Sequence, residues 1–426
     1  MHTRVADACL STAVRAFNKG DRVLRGLGHG PPQLRPELLL RSARRRTGLT
    51  DVGVQGISAA LERLVEALER EAGLTLFGRL TTRRHLVSLL ETALLLQQDR
   101  NQSPAVVEQR ITAPVFIVGL PRTGTTLLHN LLVQDPDTRA PLTWETMFPA
   151  GYAESPAAIR RAQWKASARL AMADRIAPDF QRIHPLGFDR PEECVALMAP
   201  AFTSALFHTL YRVPSYQDWF ESDGQDPGFE MHLRVLQQLQ VRRGPRRWVL
   251  KCPAHLFSLE ALLRRYPDAR LIQTHRDPLR AIPSIASLNA TLRAAFSSHV
   301  DPGEIGRDCA LRWSRALQRF LRRRDSLPQD RVMDVAYAEL AASPVATVER
   351  IHDHLGWPFP PGAREAMRNY LTAHARDASG VHRYSLQAFG LDAGQEAQRF
   401  AHYCERFDIE REAYPENSRN HPEASG

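Results

Sequence analysis

The run Gly119-Leu-Pro-Arg-Thr-Gly-Thr-Thr126 sets two glycines apart by four residues and follows them with two threonines. That is the spacing of a loop that cradles a phosphate group through backbone N–H donors and the start of the next helix. Hydroxyls of Thr123, Thr125 and Thr126 can add donors, and Arg122 adds positive charge. Nucleoside triphosphatases carry Lys and then Ser or Thr after the second glycine; this chain has Thr125 and Thr126 there. In those enzymes the lysine reaches the β- and γ-phosphates, so a loop without it is expected to hold a different anion. Two further cations stand at the ends of apolar runs. Lys251 follows residues 248–250, and His275-Arg276 follows residues 270–274. Open α/β sheets bind ligands beyond the carboxyl ends of their strands, which is where these groups would lie.

The elements that must position these residues alternate in type. Residues 115–118 form a short β-branched run ahead of the glycine loop, and residues 126–132 read as a helix after it. Residues 248–250, 270–274 and 332–337 are further strand candidates, followed by helical patterns such as 258–265 and 344–355. Alternation of this kind predicts an α/β fold, P-loop-like, with three layers and a mostly parallel central sheet. Residues 36–100 read as helical, with Ile57, Leu61, Leu64, Val65, Leu68 and Ala72 on one face. Gly73 is expected to end that helix and Thr81 or Thr82 to cap the next, with a polar connector over 99–112. Residues 150–243 are expected to be mostly helical and to cover the sheet. The resulting division is a helical extension over 1–110, a catalytic domain over 111–410 and a flexible tail over 411–426.

Composition narrows the partners. The 426 residues are 43% hydrophobic and 24% charged, enough for an ordinary core, and the formal net charge of +9 favours anionic partners. Five cysteines, an odd number without a CxxC pair, argue against a disulfide framework or a zinc site. Residues 1–25 are charged throughout and hold no apolar signal segment, so a cytoplasmic setting is expected. Residues 86–96, the longest apolar stretch, contain Glu91 and are shorter than the roughly 20 residues of a membrane span. No alternation of aromatic and basic residues points to nucleic acid.

These motifs together resemble the PAPS-dependent sulfotransferases, in their bacterial-type branch (PAPS is 3′-phosphoadenosine 5′-phosphosulfate). The run 121–126 is similar to the family's 5′-phosphosulfate loop, and Arg276-Asp-Pro-Leu-Arg-Ala-Ile-Pro-Ser284 to its 3′-phosphate signature. Val249-Leu-Lys251-Cys-Pro253 resembles the strand-end Lys-x-Pro, Trp144-Glu145 an acidic position, and residues 382–386 and 389–391 a C-terminal segment. The resemblance spans residues 38–409 and implies sulfuryl transfer to a hydroxyl acceptor by in-line displacement, without a metal. It implies that Arg122, Thr123, Gly124, Thr125 and Thr126 hold the 5′ end of the nucleotide. It also implies that Arg276 and Ser284, with Arg383, hold the 3′-phosphate. Lys251 and Arg122 are expected to stabilise charge on the leaving phosphate. Glu145 is the first choice of base, if Trp144, Met147 and Phe148 raise its pKa. His255 is the second, and His184, near Glu192 and Glu193, the third. Tyr337 could approach the adenine, whereas Asp334, in mid-strand, is badly placed for magnesium. Phe202, Phe207, Tyr211, Tyr216 and Trp219 lean towards a lipid, sterol, aromatic or glycolipid alcohol as acceptor. The competing readings are an ATP- or GTP-dependent P-loop kinase and a non-catalytic nucleotide or polyanion binder. Thr125 in place of lysine weighs against the kinase.

Overall fold

The computed structural model describes residues 33–150, 155–176, 187–244, 246–374 and 385–412, together with Val14 and Asn18. Its sheet has five parallel strands: β1 (Val115–Gly119), β2 (Thr138–Arg139), β3 (Arg247–Lys251), β4 (Arg270–His275) and β5 (Val332–Ala336). Their spatial order is β2-β3-β1-β4-β5. The chain leaves β1 towards one edge and later builds the other edge, so the order reverses at β1. A crevice opens at such a switch point, outside the carboxyl ends of the strands.

The central strand β1 is apolar without alternation because both its faces are covered, whereas the edge strand β5 alternates buried and exposed residues. In β1 every residue is buried; Phe116 and Val118 face one apolar cluster, and Val115 and Ile117 face another. Helices α1 (Pro36–Thr47), α2 (Ile57–Arg70) and α3 (Leu76–Gln102) contribute Leu39, Leu64 and Leu90 to the Phe116 side. Between β1 and β2 lies α4 (Thr125–Leu132), and α5 (Thr143–Met147) and α6 (Pro156–Ile176) follow β2. Next come α7 (Asp226–Arg243) before β3, α8 (Leu259–Arg265) after it, and α9 (Pro278–Phe296) and α10 (Pro302–Arg324) after β4. The opposite face is closed by Leu128, Leu131 and Leu132 of α4 with Val348, Ile351 and Leu355 of α11 (Pro344–Leu355). Two short C-terminal helices, α12 (Ala393–Arg399) and α13 (Ala401–Arg406), end the described chain.

Two local expectations change. The strand β2 is only two residues long and leaves no sequence pattern. Helix α3 begins at Leu76, not at Thr81 or Thr82, and runs through Asp99 into the expected connector. Thr75 is its cap: its hydroxyl accepts the Gly78 N–H at 3.0 Å, while its own N–H and hydroxyl donate to the Phe296 carbonyl at 2.9 and 3.2 Å. That carbonyl belongs to the last residue of α9, a partner over two hundred positions away. Gly78 is required there, because a Cβ would lie 1.9 Å from the Phe296 oxygen.

Below the glycine loop, His129 of α4 donates through Nε2 to the Val249 carbonyl at 3.1 Å and ties α4 to β3. Burial, and then the charge of Lys251, push its pKa from 6.5 down to about 3. The native ring therefore refuses a proton that the unfolded chain accepts below pH 6.5. Its contribution is whole above that pH and is lost as pH falls, by about 1.4 kcal/mol per pH unit for one histidine. We expect His129→Asn to be less stable at pH 7 and to show a flatter fall between pH 6 and 4.5. Urea unfolding measured across that range checks it; parallel curves would refute it.

Candidate active site

The loop after β1 turns sharply because Gly119 has φ 140°, and a Cβ there would sit 2.5 Å from the Thr274 carbonyl of β4. Arg122 holds φ 72°, a left-handed conformation that a side-chain-bearing residue enters at some cost. Gly124 precedes α4 and Thr125 opens it, so the free N–H groups of the first turn lie at the loop. The Arg122 side chain is exposed. Thr123 corrects the sequence expectation. Its buried hydroxyl donates to the Leu120 carbonyl at 2.6 Å and lies 2.5 Å from the Thr274 hydroxyl, so it braces the loop to β4. Thr125 is buried and Thr126 exposed.

Lys251, at the end of β3, reaches α4: its ammonium donates to the Thr126 hydroxyl at 3.3 Å. The same ammonium is ion-paired with Glu193, and the lysine side chain is only 3% exposed. Sequence reasoning placed Glu193 only as one of several acids near His184. What brings it to Lys251 is a pairing between segments. Thr143 N–H donates to the Arg190 carbonyl at 3.0 Å, Trp144 N–H to Phe188 at 2.9 Å, and Glu192 N–H to Pro141 at 2.8 Å. Glu192 is a brace in this join. Its carboxylate accepts the Thr143 hydroxyl and the Glu193 N–H, each at 3.0 Å, and burial raises its pKa.

On the other side of the loop, Arg276 follows β4. Its Nη1 donates to the Arg122 carbonyl at 3.0 Å, and its guanidinium lies 4.0 Å from the Tyr337 ring centroid. The structure therefore brings the Arg122 loop and Arg276 into contact. Asp277 caps α9 through the Leu279 N–H at 2.9 Å. Arg280 and Ser284, four residues apart, share one side of α9, and Arg276, just before the helix, meets Arg280 at the Glu412 carboxylate. Arg280 was missed as a site residue, although its spacing was there to be read. The Ser284 hydroxyl is buried and has no partner among the described residues. An orphaned donor one helical turn from an arginine suits an anion. Glu412, past the boundary drawn at 410, accepts from Arg276 Nε at 2.6 Å and Nη2 at 2.8 Å.

Other expected residues are not drawn into this group. Glu145 is 1% exposed, but its apolar neighbours Trp144, Met147 and Phe148 pack towards Ala162 and Ala166 of α6. Its carboxylate instead meets Arg139 and Arg243, each at 3.1 Å, and the Leu142 N–H at 3.0 Å. Those three groups make it the cap of α5 and a wall of a cavity of about 740 Å³, also lined by Asn130, Arg190 and Arg246. The His255 ring is stacked on Phe229 at 5.3 Å and edge-on to Phe116 at 5.4 Å, and burial lowers its pKa well below 6.5. Phe202, Phe207, Tyr211 and Tyr216, offered as an acceptor lining, are 0–1% exposed and belong to the core shared with α1–α3. Asp334 is held by Arg324 and His275. His184 and Arg383 lie outside the described residues.

A loop of this shape at the switch point of a parallel sheet, with strand-end cations on either side, defines a P-loop-like α/β protein. Residues 114–361 match the model of the family described as the sulfotransferase family, and the chain belongs to that family. It is an enzyme of sulfuryl transfer. Among solved structures, the sulfotransferase STF1 from Mycobacterium tuberculosis is 33% identical, with a TM-score of 0.76 over 87% of this chain and 99% of that one. STF9 from Mycobacterium avium is 27% identical, with a TM-score of 0.78 over 88% and 97%. The omega-hydroxy-beta-dihydromenaquinone-9 sulfotransferase Stf3 from Mycobacterium bovis is 27% identical over 323 residues, 74% of this chain and 79% of that protein. No helix among the described residues is long and apolar enough to cross a membrane.

Glu145→Gln should act on stability more than on chemistry. Removing one charge of a buried ion pair is expected to cost about 3 kcal/mol of unfolding free energy, while the single-turnover transfer rate stays within about tenfold of the parent. A rate loss of a thousandfold in a variant of unchanged stability would restore Glu145 as the base.

Proposed function

We propose that the sulfuryl donor is PAPS, and that its two phosphate ends are held by the 122–126 loop and by the Arg276, Arg280 and Ser284 side of α9. The observation that carries this reading is the 3.0 Å bond from Arg276 to the Arg122 carbonyl, which makes one continuous cationic surface of the two regions. The unpartnered Ser284 hydroxyl adds support at the 3′-phosphate end. Tyr337, under Arg276 and against Gly124, is suitably near to pack on the adenine.

The donor supplies an activated sulfuryl group; the chain's residues do the rest. Lys251 and the N–H groups at the start of α4 stabilise the charge that builds on the leaving phosphate oxygen. Glu193, already at the Lys251 ammonium, takes the proton of the acceptor hydroxyl as the acceptor oxygen bonds to sulfur and the sulfur–phosphate oxygen bond breaks. Glu145 and His255, proposed from sequence for that step, are held elsewhere by their contacts. Before substrates arrive, the Lys251–Glu193 pair keeps both charges compensated.

For the acceptor we propose a hydroxyl on a lipid-like small molecule. The buried aromatic residues no longer argue for it. Its support is the relative whose name states a hydroxylated menaquinone derivative. Purified protein incubated with sulfur-labelled PAPS and a panel of ω-hydroxylated prenyl quinols, sterols and glycolipids tests it by mass spectrometry. We expect product with the prenyl class, at a rate indifferent to EDTA. Glu193→Gln and Lys251→Ala should each lower the transfer rate at least about a hundredfold. Failure to bind 3′-phosphoadenosine 5′-phosphate (PAP), or turnover of magnesium-ATP, would overturn the nucleotide assignment. Transfer only to sugars would overturn the acceptor class.

A further inference from the structure

Arg276 is occupied. Its planar fork meets both oxygens of Glu412, at 2.6 and 2.8 Å, and Arg280 Nε lies 3.6 Å from the same carboxylate. This is the geometry with which a guanidinium grips either a carboxylate or a phosphate. Glu412 is brought there by its own backbone and by the helix before it. Its N–H donates to Asp277 Oδ2 at 3.0 Å, so Asp277 caps α9 with one oxygen and fastens the C-terminal segment with the other. Upstream, Phe407 stacks on His275 at 4.0 Å, and the Tyr403 hydroxyl lies 3.0 Å from His275 Nδ1. Arg406 pairs with Asp325. These anchors grip β4 or its surroundings, and none of them uses the guanidinium of Arg276.

We infer that the Glu412 carboxylate is a stand-in for the nucleotide's 3′-phosphate, pairing with Arg276 until the phosphate displaces it. The inference rests on the assignment of Arg276 to the 3′-phosphate. When Glu412 leaves, Arg276 keeps its bond to Arg122 and its place over Tyr337, so the fork stays aimed while one anion is exchanged for another. Glu412 thereby acts as a positioning residue: it keeps the arginine compensated and oriented in the empty enzyme, and it competes with the nucleotide. Such competition weakens apparent affinity by the fraction of molecules in which the site is open. The penalty falls on nucleotides that carry a 3′-phosphate and spares adenosine 5′-phosphate, which does not need to remove the carboxylate.

Calorimetric titration of the full-length enzyme separates these cases. Glu412→Gln and Glu412→Ala should each bind PAP more tightly, on the order of fivefold, and bind adenosine 5′-phosphate within about twofold of the parent. Arg276→Ala should weaken PAP by a larger factor than it weakens adenosine 5′-phosphate, whose loop it also braces through the Arg122 carbonyl. If Arg276→Ala weakens PAP while both Glu412 variants bind it no better than the parent, the stand-in role is wrong and the nucleotide assignment survives. Equal tightening of both nucleotides also overturns the stand-in, since it would mark a steric cover. Parent-like PAP binding by Arg276→Ala removes the nucleotide assignment and the stand-in together.

Discussion

A buried ammonium must be compensated, and the site is organised around that requirement. The Lys251 side chain is 3% exposed at the end of β3, where an unpaired charge would be expelled or neutralised. Glu193 supplies the opposite charge, and it can do so only because residues 188–192 are joined to residues 141–144 by backbone hydrogen bonds. The Thr126 hydroxyl then ties the pair to the first turn of α4. A cation, an acid and a row of free N–H donors are thus fixed within one small volume by a single electrostatic demand.

The parts of the site that were legible in the sequence are those made by short-range rules. A β-branched run, a glycine loop and a helix start are contiguous, so Gly119 to Thr126 could be placed on sight. Lys251 and Arg276 announced themselves by closing apolar strands, and Ser284 by its distance from Arg276 along a helix. The parallel sheet followed from strands alternating with helices. What could not be read were partners set by tertiary contact. Glu145 looked like an acid among apolar residues, because Arg139 and Arg243, which surround its carboxylate, lie on β2 and at the end of α7. Thr123 looked like a ligand donor, because nothing local reveals the Thr274 hydroxyl of β4. The aromatic residues of 202–216 had the composition of a lipid pocket and the location of a core. Glu193 was the most costly omission, being 58 positions from the lysine it serves.

Arg276 gives the two halves of the crevice a common part. It faces the loop through the Arg122 carbonyl, Tyr337 through its flat face, and Glu412 through its fork. Arg122 is held in a left-handed conformation while its carbonyl is engaged in this way. A phosphate-binding loop normally relies on glycine for such backbone shapes. Here an arginine from the neighbouring strand end takes part in holding the shape.

The contact between Gly78 and the Phe296 carbonyl makes the amino-terminal helices a splint for α9. One end of α9 carries the half-buried Arg280 and the buried Ser284; its other end is clamped by the cap of α3, at a spacing that tolerates no side chain. A rod fixed at its far end cannot pivot freely at its near one. Helix α3 is therefore coupled mechanically to the start of α9, and natural variation around Gly78 would be felt as slack at Arg280, at the opposite end of that helix.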